Sequence, residues 1–321
     1  MDKKIFLPIE SELLEFQKQF SANLKSKVAL LDLILKYVLK QKGKKIRPAL
    51  VLLSAKFSGK INQRTYIAAN LVEMLHTATL IHDDVVDEAK TRRGLASVNA
   101  VWKNKASVLI GDYLLSRGLL LSLDNDECRF LKTTSTAVKM MSEGELLQIQ
   151  KARNFDATEE TYFEIIKCKT ASLIRTCCSL GAQSATDNDK IISDLSGFGE
   201  NLGIAFQLRD DYLDYAGRKK ILGKSTGNDL KEKKFTLPLI YSLKNAPKSR
   251  SSEIMKLIKS SAAKKFTEVY KFVNEYGGLE YTIEKTKHYC NLALSYISPY
   301  PESPVKDSLI ALLDFVSERE N

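Results

Sequence analysis

The sequence predicts an all-α protein: one large helical bundle domain spanning residues 1–321. Two observations carry that class. Helix breakers are scarce: 15 glycines and 7 prolines in 321 residues make about 7 %, against about 12 % in average usage. The apolar residues also recur at steps of three and four nearly throughout, the spacing that lines one face of a helix. No fixed-period repeat, low-complexity tract or linker divides the chain.

The elements follow in order. Leu13, Leu14, Phe16 and Phe20, then Val28, Leu31, Ile34 and Val38, carry the helical spacing to about Lys40. Gly43 interrupts it. Pro48 sits where a new helix can start, because a first turn does not need the missing N–H. Ile67, Leu71, Leu75, Ala78 and His82 mark a long helix. Further helices are expected near 107–123, 127–151, 159–185, 189–216, 235–244, 251–276, 278–296 and 305–318, with loops at Gly94–Val98 and Gly217–Lys234.

The formal net charge is +10. It serves solubility in the first place, and also admits a polyanionic ligand, nucleic acid or an anionic membrane surface. Cys128, Cys168, Cys177, Cys178 and Cys290 form an odd set without C-x-x-C spacing. That argues against a disulfide framework or a zinc site and fits a reducing compartment. The first 41 residues show no signal-peptide pattern, and the longest apolar runs look far short of a membrane span. A soluble cytoplasmic protein is expected.

Residues 80–94 read LIHDDVVDEAKTRRG, and residues 207–215 read QLRDDYLDY. Each sets aspartates near the end of an apolar helix. Residues four apart share a helix face, so Asp83 pairs with Asp87 and Asp210 with Asp214. Asp84 and Asp211 are rotated by about 100° and are expected to support or orient. Crowded carboxylates repel unless a cation lies between them. Magnesium accepts one or two carboxylates, keeps waters and completes its shell with phosphate oxygens. One D-D-x-x-D is ordinarily solvated surface; two, far apart in sequence, point to a metal–diphosphate site.

A diphosphate also needs basic partners. KGKKIRP (42–48) reads either as an exposed turn or as a phosphate cradle, with Gly43 freeing the backbone, Lys44 a point charge and Arg47 a planar fork. Arg92 and Arg93 follow Asp87 in a loop, where they either pair back to Asp87 or Glu88 or hold phosphate. GKSTGNDLKEKK (223–234), with Lys224, Lys231, Lys233 and Lys234, reads as a basic loop, solvent-facing or closing over phosphate. His76 lies about two turns before Asp83; alone, such a histidine is usually a hydrogen-bonded core residue. Lys169 and Thr170 sit mid-helix, and Gln207 precedes Asp210 by three.

Together GKKIRP, HTATLIHDDVVDEAKTRRG, ASVLIGDYLLSRG, SEGELLQ, KT, FQLRDDYLDY and GKSTGNDLKEKKFTLPLI resemble the trans-polyprenyl diphosphate synthases, and in tone the octaprenyl diphosphate synthases of quinone biosynthesis. The likeness runs from about Gly43 to Leu239. It implies the isoprenoid synthase fold, helices around a central cavity, working as a homodimer. It implies magnesium, about three ions per site, held by Asp83 and Asp87 from one side and by Asp210, helped by Asp214, from the other. Arg92, Lys169 and Lys224 would hold the allylic diphosphate, Lys44, Arg47, His76 and Arg93 isopentenyl diphosphate, and Lys234 would also bind substrate. Thr170 and Gln207 would line the space where positive charge develops. Asp83, Asp87, Asp210, Arg92 and Lys169 are the residues expected to carry catalysis. Two positions depart from the family pattern: Lys45 where arginine is usual, and Lys233 where glycine is usual.

The implied reaction ionises the allylic C–O bond, and the alkene of isopentenyl diphosphate attacks the resulting cation. The resemblance suggests farnesyl diphosphate as starter and an octaprenyl-range product. The residues one helical turn below Asp83 are Ala78 and Thr79, both small; they are the expected first floor of a product tunnel, or simply let a neighbouring helix approach. Peripheral membrane contact would serve product release. The rivals are a shorter-chain synthase, a terpene cyclase, which usually has one aspartate-rich motif, and a basic nucleic-acid binder, which leaves six aligned aspartates unexplained. No nucleic-acid partner is expected.

Overall fold

The structure, a computed structural model, describes residues 3–41, 43–154, 158–216, 234–260 and 266–318. A 3-10 turn, Lys3–Ile9, leads into α1 (Glu10–Asn23), α2 (Ala29–Lys40), α3 (Ile46–Ser58) and α4 (Gln63–Val86). A two-stranded hairpin, β1 (Thr91–Arg92) and β2 (Leu95–Ala96), joins α4 to α5 (Val98–Leu123). Then come α6 (Cys128–Asn154), α7 (Glu159–Ile166), a π-helical turn at Lys167–Ala171, α8 (Ser172–Ala185) and α9 (Asp189–Ala216). The last five are α10 (Leu237–Asn245), α11 (Lys248–Ser260), α12 (Phe266–Glu275), α13 (Gly278–Ile297) and α14 (Pro304–Glu318).

Helix α4 is the axis of the bundle. Residues 67–76 are buried without a break, polar side chains included, so the helix is enclosed on every side. It packs against α5, α3 and α8, and Ala68, Leu71, Met74, Leu75 and Ala78 are all buried. Its start is fixed by a capping box, in which the Asn62 side chain accepts from Thr65 N and the Thr65 hydroxyl accepts from Asn62 N. Helices α8, α9 and α13 form the next layer, while α14 closes against the N-terminal turn. A smaller core around Phe272, Val273 and Ile258 ties α11 and α12 to α9, α10 and α13.

Several expectations shift. The helix expected at 107–123 begins at Val98, capped by Ser97 Oγ, which accepts from Ala100 N. It breaks at Lys103, whose φ of 68° and ψ of 172° interrupt the periodicity that sequence reading follows. The Gly94–Val98 loop is the end of a hairpin, turned at Arg93 and Gly94, both with positive φ (52° and 80°). A two-residue hairpin of type I′ requires that sign at both positions. The helix expected at 159–185 contains the π turn. Helix α5 also corrects the estimate of apolar runs. It is the one described helix long and apolar enough by length and composition to cross a membrane, and it packs along α4.

Candidate active site

Both acidic motifs lie at the C-terminal ends of their helices. Asp83 is in the last turn of α4 and Asp87 caps it, Asp87 N donating to Asp83 O at 2.8 Å. Asp210, Asp211 and Asp214 occupy the last two turns of α9. A helix carries partial negative charge at that end, so the backbone adds to the repulsion between carboxylates. Cations are favoured at such an end.

The middle aspartate of each motif already has internal partners. Asp84 is buried and takes the Arg92 guanidinium, Nε to Oδ1 at 2.8 Å with Nη2 also on Oδ1. Asp211 is buried and accepts from Tyr162 OH at 2.6 Å and from Gln207 Nε2 at 2.7 Å. Arg92 therefore pairs with Asp84, not with Asp87 or Glu88. Asp83 and Asp87 have no side-chain partner among the described residues. Burial raises the Asp83 pKa; Lys169 and Arg92 lower it, while Glu145 and Asp87 add to the rise.

Asp83 lines a cavity of about 520 Å³ together with Arg47, His76, Thr79, Glu145, Lys169 and Thr170. Leu80, Val86, Met141, Leu146, Ile149 and Leu173 make much of its wall apolar. Lys169 and Thr170 also border an adjoining cavity of about 170 Å³, with Gln148, Tyr162, Gln207, Asp211 and Lys234. One hydrogen-bonded line runs through it: Thr170 Oγ1 donates to Gln207 Oε1 at 2.8 Å, Gln207 to Asp211, and Tyr162 to Asp211.

The π turn explains how Lys169 and Thr170 reach both cavities. One extra residue is carried in that turn, a feature concentrated at functional sites. Helix α6 seats directly on it because Gly144 has no side chain: a Cβ there would lie 2.7 Å from Cys168 Cβ. The Lys169 ammonium rests on Glu145 Oε2, with Gln148 Oε1 at 3.4 Å.

On the opposite wall, Arg47 Nη1 donates to His76 Nε2 at 2.9 Å. The accepting Nε2 places the imidazole proton on Nδ1. Burial, reinforced by Arg47, Arg93 and Arg92, pushes the His76 pKa well below its usual value, so the ring is neutral. Arg47 Nε is buried without a partner among the described residues. Gly43 acts through space, not through an unusual backbone: a Cβ there would lie 2.5 Å from Arg93 Nη1. Arg93, also bonded to Gln41 O at 3.3 Å, thus abuts the 43–47 segment. Lys44 is exposed, with Nζ 5.7 Å from the Phe315 ring centroid. Lys45 turns to buried Glu73, at 3.8 Å.

The structure thus gathers Arg47, His76, Thr79, Asp83, Lys169 and Thr170 about one cavity and Gln207 and Lys234 about its neighbour. Asp210 is near enough to Arg47 to raise its pKa against the effect of burial, which lowers it. Lys224, Lys231 and Lys233 lie outside the described residues. Ala78 belongs to the packed core, and only Thr79 of that pair faces the cavity. Glu145, Gln148 and Tyr162 were missed as site residues, although SEGELLQ stood out as a motif.

These donors fit a divalent cation: hard carboxylate oxygens at two helix ends, with Asp83 short of positive charge. No three His, Cys, Asp or Glu side chains converge on one point among the described residues.

Residues 28–275 match the polyprenyl synthetase family. The chain belongs to that family. It is a prenyltransferase with the all-α isoprenoid synthase fold. It is 35 % identical to the all-trans-nonaprenyl-diphosphate synthase (geranyl-diphosphate specific) of Rhodobacter capsulatus, over 98 % of this chain and 97 % of that one. It is also 35 % identical to the octaprenyl diphosphate synthase of Escherichia coli strain K12, over 92 % of each. A crystal structure of a polyprenyl synthase from Caulobacter crescentus CB15, complexed with calcium and isoprenyl diphosphate, superposes with a TM-score of 0.92. It is 30 % identical and covers 99 % of this synthase, which covers 98 % of it.

Proposed function

We propose that this synthase, one catalytic unit over its length, extends an allylic diphosphate by head-to-tail condensation with isopentenyl diphosphate. The observation that carries the reading is the cavity at the end of α4, where Asp83 shares the lining with Arg47 and Lys169 beside a largely apolar wall, while the second aspartate motif ends α9. Asp83 and Asp87 on one side, and Asp210 with Asp214 on the other, would hold magnesium. When bound, that metal offsets the charge that grows on the departing diphosphate.

The remaining work falls to the chain. Lys169, with Lys234 from the adjoining cavity, meets the allylic diphosphate, and Arg92 is held toward it by Asp84. Arg47, oriented by neutral His76, takes isopentenyl diphosphate with Lys44 and Arg93. Fixed donors aimed where charge develops favour the transition state over the ground state. The Thr170 hydroxyl and Gln207 carbonyl oxygens turn dipoles toward the allylic cation. The apolar wall keeps water from it until the alkene attacks.

The relatives' names support a long product. Farnesyl diphosphate as starter, an octaprenyl-range product for quinone side chains, a cytoplasmic homodimer and membrane contact at release complete the reading. Incubation with magnesium, isopentenyl diphosphate and farnesyl diphosphate, followed by product sizing, tests it. Products centred on eight units support it; products ending at geranylgeranyl refute the long-chain assignment, and no elongation refutes the activity.

A further inference from the structure

Lys169 and Asp83 face the same cavity, and Asp83 has no side-chain partner there among the described residues. A lysine has a flexible four-carbon stem and a compact charge. An unpaired carboxylate in the same cavity, whose pKa the ammonium already lowers, competes for it. The structure shows it elsewhere, on Glu145 Oε2 of α6, with Gln148 Oε1 one turn further along the same helix at 3.4 Å. The backbone enforces that choice. Gly144 lets α6 lie against the π turn, where an added Cβ would meet Cys168 Cβ at 2.7 Å and Lys169 N at 3.2 Å. The residue after that glycine is Glu145, so the close approach delivers its carboxylate to the ammonium.

We propose that Glu145 is a positioning residue: its carboxylate holds Lys169 on the α6 wall, keeps the ammonium off Asp83, and so leaves Asp83 available to a divalent cation. The inference rests on the metal-dependent reading of the site and adds a function for the SEGELLQ segment. It makes Lys169 a group parked beside the metal site, not in it. An incoming diphosphate, carrying more negative charge than one carboxylate, can draw the ammonium from Glu145 without uncovering a competitor for the metal.

The test is Mn²⁺ binding to the full chain, followed by loss of the free-ion electron paramagnetic resonance signal, with no substrate present. Glu145→Gln keeps size and shape, and a freed Lys169 then competes at Asp83. Mn²⁺ affinity should fall about fivefold, which corresponds to about 1 kcal/mol. Lys169→Ala alone should leave affinity near wild type, because the ammonium is already held away. The double variant Glu145→Gln/Lys169→Ala should recover wild-type affinity.

Three outcomes overturn the proposal. Unchanged affinity in Glu145→Gln removes its basis. A double variant as weak as Glu145→Gln makes Glu145 a ligand itself. A Lys169→Ala variant that binds Mn²⁺ about fivefold more tightly reduces both effects to long-range charge. Asp83→Ala separates this from the underlying reading: if it binds Mn²⁺ like wild type, the metal assignment fails, and the positioning role falls with it.

Discussion

Substituting Asp211 should cost stability first and activity second, whereas substituting its neighbour Asp210 should cost far more activity. Asp211 is 3 % exposed and accepts two hydrogen bonds, from Tyr162 OH and Gln207 Nε2. Hydrogen bonds to a charged group contribute roughly 1.5–3 kcal/mol each. Asp211→Asn keeps one accepting oxygen and turns an amide toward the other donor, so about 2 kcal/mol should be lost. Tyr162→Phe removes one donor and should cost about 1.5–2 kcal/mol on the same grounds. The double variant should cost less than the sum, with a coupling of about 1 kcal/mol, as side chains in direct contact show. Urea unfolding midpoints at constant m-value measure all three. Gln207 loses its anchor, so turnover should fall about 10–100-fold, as it does when a group supporting a site residue is removed. Asp210→Asn should lower turnover by several orders of magnitude, well beyond the loss at Asp211. A midpoint shift below about 0.5 kcal/mol for Asp211→Asn, the scatter of ordinary surface changes, would refute the division of labour. So would equal turnover losses at the two positions.

Three further outcomes are expected. Lys103 has φ 68° and ψ 172°, a region essentially reserved for glycine and costing other residues about 1–3 kcal/mol; Lys103→Gly should raise the urea midpoint by about 1 kcal/mol with turnover within about twofold of wild type. The His76 pKa is lowered in the fold, so the unfolded chain binds the proton more readily and stability must fall as pH drops below the unfolded value of about 6.5; His76→Asn should flatten that part of an unfolding-midpoint profile between pH 5 and 7. Thr79 faces the cavity while Ala78 is packed in the core, so Thr79→Tyr should shorten the product, whereas Ala78→Tyr should chiefly destabilise by overpacking, by about 1–3 kcal/mol; product sizing and unfolding of both variants check the contrast.

The sequence makes legible whatever depends on residues one to two helical turns apart. The pairing of Asp83 with Asp87, and the placing of His76 on the Asp83 side of α4, follow from the helical repeat. So do the supporting roles of Asp84 and Asp211. Their partners do not follow, because Tyr162 lies 49 residues from Asp211 and only packing of α7 on α9 joins them. The π turn at Lys167–Ala171 has no local signal in KCKTA, and its close contact with α6 at Gly144 joins separate helices. Gly43 was read as backbone freedom, yet its φ is not positive and its use is room for Arg93. Lys103 hid the first turns of α5 because a residue in a glycine conformation breaks the periodicity on which helix assignment depends.

The two motifs solve one electrostatic problem by the same division. Three aspartates at the negative end of a helix repel one another and the helix end. In each motif the middle one is turned inward and satisfied by the protein, by Arg92 in one case and by Tyr162 and Gln207 in the other. Those bonds also fix the helix end that carries the outer pair. On α4, where the outer pair can be followed, Asp83 stays partly buried, with its pKa raised by burial and by the carboxylates of Glu145 and Asp87 against the pull of Lys169 and Arg92. A group in that state destabilises the empty fold when ionised, so Asp83→Asn should raise the thermal midpoint while removing activity. A stabilising substitution that abolishes turnover is what a charge kept for a metal–diphosphate ligand demands, and a purely structural carboxylate would give the opposite sign.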